Sequence, residues 1–320
     1  MLRAALPLVL ALALVAEAKP PVYRGSQITY SNTVTALSLD RSADPTYNPA
    51  YTMSALFRPR LWIRDLFYVQ AKLEVARELT QADDTTFADE TVVSDLHLAT
   101  ATTFFEGAGF SLGASLDLGF PTSKASRART MVLGFTPGVS AEWEAKLLAG
   151  LSLGVGATVT KYFDRYSTSQ RDAPLIPGCR AGDGANGCSE LLSTGDRNVN
   201  VRLIESFSAS LDVLEWLGFE LTADLYQDVL YPQDASDPRV SLEPQEPTDT
   251  RYTLGWGVEL YFEPWKALTV AIGASALNPA RAPDTSLYAP FFNRYTSFYL
   301  DLRFDMAGMV ETFTPAEEIP

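Results

Sequence analysis

Apolar and polar residues alternate with a period of two along most of the chain, and this pattern predicts β-strands. The alternation is clearest at residues 67–79, 110–120, 131–143 and 151–163. In the second of these segments every other residue is Phe, Leu or Ala, and the residues between them are Ser, Gly or Asp. Further segments with the same pattern bring the prediction to about twelve strands; they are residues 27–39, 51–63, 91–104, 199–213, 217–225, 252–262, 268–276 and 298–304.

The connections between these strands alternate between short and long. Short turns are predicted near residues 64–66, 105–109, 144–149, 214–217 and 263–267. Long loops are predicted near residues 40–50, 80–90, 121–129, 164–197, 231–250 and 278–293. Short turns at one end and long loops at the other are typical of transmembrane barrels, whose short turns face the periplasm. The predicted fold class is therefore all-β, a transmembrane antiparallel up-and-down β-barrel with long extracellular loops.

A soluble β-sandwich would also show alternation, but two features favour the barrel. The segments are about twice as long as soluble strands, which average roughly five or six residues. Four of the five tryptophans also lie at or beside predicted short turns, as an aromatic girdle at one membrane interface requires; they are Trp62, Trp143, Trp216 and Trp265.

Residues 295–304 read Tyr-Thr-Ser-Phe-Tyr-Leu-Asp-Leu-Arg-Phe, and this segment resembles the last strand of porin-like bacterial outer-membrane barrels. The resemblance rests on pattern and covers most of the chain. It implies a barrel over residues 19–306, insertion by the barrel-insertion machinery and contact with outer-membrane lipid. The chain departs from the family pattern in a C-terminal tail at residues 307–320, which we expect to hang in the periplasm or plug the lumen.

The N-terminal residues 1–18 have the features of a secretory signal peptide: Arg3, an apolar core, and a small-x-small cleavage site that ends at Ala18. Export through such a signal is consistent with the outer membrane of a Gram-negative bacterium. It also allows Cys179 and Cys188 to form a disulfide in an oxidising compartment. The net charge of −14 makes nucleic acid an unsuitable partner, because phosphates require a basic surface. The sequence leaves the oligomeric state and any envelope protein partner open.

The second face of the predicted strands carries charged residues that would line the lumen. The basic candidates are Arg58, Arg60, Lys72, Arg202, Arg251 and Arg303. The acidic candidates are Glu74, Asp95, Asp117, Glu142, Asp212, Glu220, Asp224, Asp228, Glu259 and Asp301. We interpret this face as a narrow or gated path for small polar solutes, in which the acidic excess favours cations. The alternative is a non-conducting barrel that anchors an envelope assembly or displays adhesive loops.

His97 is the single histidine and lies two residues after Asp95, so the two residues are predicted to share the lumen face near the external rim. The pair weakly resembles the acid–histidine pairs of omptin proteases. A phospholipase site would also need a serine on this face, where Ala99 stands. We predict no enzyme, no cofactor and no metal site; Asp183–Gly187 gives only a weak calcium pattern.

Two residues conflict with regular strands. Glu205 falls on the lipid-facing side of its strand, where a charge is unfavourable. Pro137 lacks the backbone N–H that a strand interior requires. We predict a β-bulge at each position, which at residues 204–206 would turn Glu205 inward.

Overall fold

A computed structural model describes residues 21–36, 50–64, 67–80, 89–172, 191–232, 249–279, 288–289 and 291–313. These residues form one closed antiparallel barrel with a small separate hairpin. The predicted signal peptide and the two cysteines lie outside the described residues.

The barrel wall has 12 strands, in agreement with the predicted fold class. In chain order the strands of the wall are β1 (Gln27–Thr35), β2 (Tyr51–Arg58) with its continuation β3 (Arg60–Arg64), β4 (Phe67–Glu78), β6 (Leu96–Gly107) with the short β5 (Thr91–Val93) before it, β7 (Phe110–Phe120), β8 (Met131–Ala145), β9 (Gly150–Asp164), β12 (Val199–Leu214), β13 (Leu217–Leu230), β14 (Thr250–Trp265), β15 (Leu268–Pro279) and β16 (Thr296–Asp305). Each strand pairs with its neighbours in this order, and β16 pairs with β1 to close the ring.

The connections at one end are tight turns, and we call this end of the barrel the turn end. Between β6 and β7, Ala108 and Gly109 both have positive φ, at 54° and 78°, as a two-residue hairpin turn matched to the strand twist requires. Gly109 is needed here, because a Cβ would lie 2.7 Å from the carbonyl oxygen of Glu144.

The connections at the other end contain two elements that the sequence did not predict. Helix α1 (Lys124–Ala128) lies between β7 and β8, and the side chain of Ser123 caps it by accepting from Ser126 N. Strands β10 (Thr168–Asp172) and β11 (Leu191–Arg197) form a hairpin within the predicted loop 164–197.

The chain continues after β16 as helix α2 (Met306–Phe313). The Asp305 carboxylate accepts from Gly308 N at 2.7 Å, which caps the helix. Met306 N donates to Ser26 O at 3.0 Å, and Gly308 approaches so closely that a Cβ would lie 2.4 Å from Lys266 O. Residues 306–313 therefore pack on the turn end of the barrel and do not hang free, whereas residues 314–320 of the predicted tail lie outside the described residues. No helix among the described residues is long and apolar enough to cross a bilayer.

Contacts between strands that are not neighbours identify the inner face. Arg303 on β16 binds Glu259 on β14, although β15 lies between them. Side chains from strands that are two apart can meet only on the concave side of the wall, so Arg303 and Glu259 point inward. The register of each strand pair then shows which residues of the other strands also point inward, and the residues that alternate with these point outward. The outward residues include Val139, Val155 and Ile272, which are 60%, 56% and 62% exposed. An apolar outer face around a polar interior is the arrangement of a transmembrane barrel.

The two predicted bulges are absent. The register between β12 and β13 is unbroken from Arg202 to Asp212, so Glu205 stays on the outer face. Pro137 pairs in register with Leu116 on β7. On its other side, the hydroxyl groups of Thr136 and Thr160 are 2.9 Å apart, and this side-chain hydrogen bond joins β8 to β9 beside the proline. The strand therefore accommodates Pro137 without an extra residue.

Candidate functional site in the barrel lumen

Glu259 on β14 is a deeply buried charge of the lumen, at 5% exposed. Arg303 on β16 donates to both of its carboxylate oxygens, through Nη1 at 2.7 Å and through Nη2. Tyr299 Oη donates to the same carboxylate at 3.0 Å, and Arg303 also contacts Asp301 at 3.1 Å. Such bidentate, charge-assisted contacts fix both orientation and position, so this network ties β14 to β16 across the intervening β15.

Strand β15 lies between β14 and β16, and it carries a glycine where the Tyr299 side chain crosses it to reach Glu259. A Cβ on Gly273 of β15 would lie 2.3 Å from the Tyr299 ring. The same arrangement recurs further along the wall, where Tyr261 on β14 donates to Asp212 on β12. A Cβ on Gly218 of the intervening β13 would lie 2.3 Å from the Tyr261 ring. In both places a glycine allows a tyrosine to reach a carboxylate two strands away.

A cavity of about 710 Å³ occupies the lumen at the turn end. Its lining runs from Gln27 on β1 to Ser152 on β9, strands that face each other across the ring. The charged side chains in this lining are one arginine, Arg303, and five carboxylates: Glu142, Asp212, Glu215, Glu220 and Glu263. The remaining polar lining includes serine and threonine hydroxyl groups. We call this lining the acidic vestibule.

The basic side chains on the opposite wall are bound largely by neutral amides. Arg60 donates to Gln70 Oε1 from Nε at 3.0 Å and from Nη2 at 2.8 Å, and Arg58 donates to Gln27. Lys72 lies on the same inner face, opposite His97 in register. At the turn end, arginines on β2 and β3 therefore lie across the lumen from the carboxylates of the acidic vestibule.

The end of the lumen away from the turns holds a second ion pair. Arg202 on β12 donates to Asp228 on β13 from Nε at 2.6 Å and from Nη2 at 2.7 Å, and Asp228 is 7% exposed. Arg251 lies opposite Asp228 in the register with β14. Asp224 follows on the same face of β13, and Glu74 lies on the inner face of β4 opposite Leu56.

The predicted pairing of His97 with Asp95 is wrong, because His97 binds a different carboxylate. His97 Nδ1 lies 2.6 Å from Asp117 Oδ1 on the neighbouring β7. Asp95 instead accepts from Ser123 N at 2.9 Å and from the Ser126 hydroxyl, at the start of α1. Among the described residues, no serine or threonine hydroxyl group is hydrogen-bonded to His97.

Trp62 is also misplaced in the prediction. It lies on the inner face with Arg60, where its ring centroid is 4.9 Å from that of Tyr68. Its indole Nε1 donates to Arg24 O at 2.9 Å, and the Arg24 guanidinium lies 4.0 Å from the ring centroid. Trp62 thus fastens the segment before β1 to the inside of the wall. Trp62 lies two residues after Arg60, so the alternation already places both side chains on the same, inner face. The girdle prediction considered only that Trp62 is close to a predicted turn.

The other three tryptophans of the predicted girdle lie at the turn end, on the outside of the barrel. Trp143 stacks near Phe110, with ring centroids 6.2 Å apart, and Trp216 meets Phe262 at 5.4 Å. Trp265 is 66% exposed. Tyr261 and Tyr299 also face the lumen and were not among the predicted lumen residues, although each lies between two outward-facing apolar residues in the alternating pattern.

The predicted disulfide and the weak calcium pattern at Asp183–Gly187 lie outside the described residues. Among the residues that the structure does describe, no group of three His, Cys, Asp or Glu side chains could hold a metal ion.

Comparison with known proteins shows the fold. An outer-membrane channel from Pseudomonas putida F1 superposes with a TM-score of 0.52 at 12% identity, covering 90% of this chain and 100% of that one. The NanC porin gives a TM-score of 0.47 at 11% identity, covering 88% of this chain and 99% of the porin. No protein-family model matches the sequence, and no curated protein is similar enough to be recognised as a relative. The chain therefore has the outer-membrane β-barrel fold of porin-like proteins.

Proposed function

We propose that this barrel is a narrow outer-membrane pore for small polar solutes and that it prefers cations. The observation that carries the proposal is the acidic vestibule, a cavity across the lumen with five carboxylates and one arginine in its lining. A cleft lined by one sign of charge within low-dielectric walls concentrates counter-ions. Rings of acidic side chains select cations in the same way.

The hydrogen bonds of the lumen support the same sign of selectivity. Arg303 is the arginine of the vestibule, and its charge is balanced by Glu259 and Asp301. Three of the five vestibule carboxylates have hydroxyl partners instead: Ser152 donates to Glu142 at 2.5 Å, Tyr261 donates to Asp212, and Thr269 donates to Glu263 at 3.4 Å. A hydroxyl partner leaves the negative charge in place, so the vestibule keeps a net field that attracts cations.

The proposal is tested by conductance in planar lipid bilayers with a KCl gradient across the membrane. The wild-type protein should carry current, and its reversal potential should report K⁺ preference over Cl⁻. The double variant Glu142→Gln/Glu220→Gln should shift the reversal potential toward zero, because it removes two vestibule charges and preserves side-chain shape.

The matched control is Asp89→Asn/Glu311→Gln, which makes the same change in net charge at exposed positions outside the lumen. The control should leave the reversal potential unchanged. If wild-type protein that is folded in the bilayer carries no current, the pore is rejected and the non-conducting anchoring barrel becomes the better hypothesis. Equal shifts for the two double variants would reject the vestibule as the selectivity filter.

A further inference from the structure

The outer face of the barrel carries one carboxylate far from the strand ends. Glu205 is the seventh residue of β12 and is exposed. Its register partners are Ala157 on β9 and Leu225 on β13, both on the outer face. The other charged residues that the described strands direct outward, Arg77 and Lys161, lie within four residues of strand ends. Glu205 is therefore the charge that the lipid core meets.

A second polar residue accompanies Glu205. Gln227 lies on the adjacent β13, two residues beyond Leu225, which pairs with Glu205. Diagonal neighbours of this kind are about 7–8 Å apart and within reach of long side chains. Within the described parts of the chain, neither side chain makes a hydrogen bond or an ion pair. Polar groups in hydrocarbon without partners are unfavourable. A contact between Glu205 and Gln227 of one chain would use one amide hydrogen and one acceptor site of the carboxylate, so the other polar atoms of the pair would still need a partner from outside the chain.

The residues around the pair are apolar or small. Ala157 lies beside Glu205, and Ala223 pairs with Phe207, the next outward residue along β12. Small side chains allow the backbones of membrane segments to approach closely, and polar side chains then hydrogen-bond across the contact. The patch of Glu205, Gln227, Ala157 and Ala223 thus has the composition of an intramembrane interface.

We propose that this patch docks a second copy of the same chain, with Glu205 of each copy accepting from the amide of Gln227 of the other. The patch is self-complementary because it holds both a carboxylate, which only accepts hydrogen bonds, and an amide, which can donate them. In a two-fold symmetric contact, the carboxylate of each copy can therefore meet the amide of the other. A different partner bearing Lys or Arg at this depth would have to hold an unpaired cation in hydrocarbon before docking, which is more unfavourable than an amide.

The test is the dimerisation equilibrium of the mature protein in lipid vesicles, measured by energy transfer between donor- and acceptor-labelled copies over a range of protein-to-lipid ratios. The wild type should dimerise. Glu205→Leu and Gln227→Leu should each weaken the dimer about tenfold, because each variant removes both hydrogen bonds of the two-fold contact and such bonds are individually weak within membranes. Glu205→Gln should weaken it less, because an amide still accepts a hydrogen bond.

The control is Arg77→Leu, which removes an outer-face charge on β4, five strands away around the ring. It should leave the dimer intact. Heat-modifiable migration in gels verifies that every variant is folded. The proposal is overturned if the wild type is monomeric at all dilutions, if Glu205→Leu dimerises as the wild type does, or if the patch is found to hold a different protein.

Discussion

The buried pair between Glu259 and Arg303 should contribute strongly to the stability of the barrel. Glu259→Ala removes two charge-assisted hydrogen bonds from Arg303 and one from Tyr299. It also leaves the guanidinium, 23% exposed, with Asp301 as its remaining recorded counter-ion. Breaking a buried pair by removing one partner costs about 3–5 kcal/mol. We expect about 3 kcal/mol here, because Asp301 and lumen water compensate part of the loss.

The assay is urea unfolding of the protein in lipid vesicles, followed by tryptophan fluorescence and by heat-modifiable migration. Glu263→Ala is the control, since Glu263 lies on the same strand and its recorded side-chain contact is a 3.4 Å hydrogen bond from Thr269. The control should change the free energy of unfolding by less than about 0.5 kcal/mol. Equal losses for the two variants would show that the network does not stabilise the wall.

Two further stability predictions use the same assay. Gly273→Ala should destabilise the barrel by about 1–3 kcal/mol, because the added methyl group overlaps a tyrosine ring. Gly134→Ala should be nearly neutral, since the nearest atoms to its added Cβ would lie 3.8 Å away. Similar urea midpoints of unfolding for the two variants would contradict the close approach of the Tyr299 ring to Gly273. Arg202→Met should lower the free energy of unfolding by at least about 3 kcal/mol, because it leaves the buried Asp228 unpaired. Arg77→Met breaks an exposed ion pair and should lower it by less than about 1 kcal/mol. A larger loss for Arg77→Met than for Arg202→Met would be inconsistent with the burial of these pairs.

The strand pattern was predictable because period-two alternation acts within each strand and needs no knowledge of its neighbours. The same signal places Arg58, Arg60 and Trp62 on one face. The contacts across strands were not predictable, since they depend on register. His97 meets Asp117 because the register of β6 on β7 shifts by one residue between Thr103 and Phe105, and the alternation of apolar residues does not determine where that shift falls.

The elements outside the wall were missed for a different reason. Helix α1 has five residues, too short for a helical period to be recognised. Helix α2 directly follows the last strand, where Asp305 ends β16 and also caps the helix. Because Asp305 belongs to the strand and also caps the helix, no turn or loop residues separate the two elements in the sequence. The start of the helix was therefore not recognised, and the segment was predicted to be a tail.

The two tyrosine contacts have a consequence for the width of the lumen. At Gly218 and Gly273 a tyrosine ring lies against the wall in the space that a side chain would otherwise fill. A larger residue at either position would push that ring toward the centre of the barrel. The inner diameter at these two levels thus depends on the two glycines, and single substitutions there would narrow the lumen without any change in the loops.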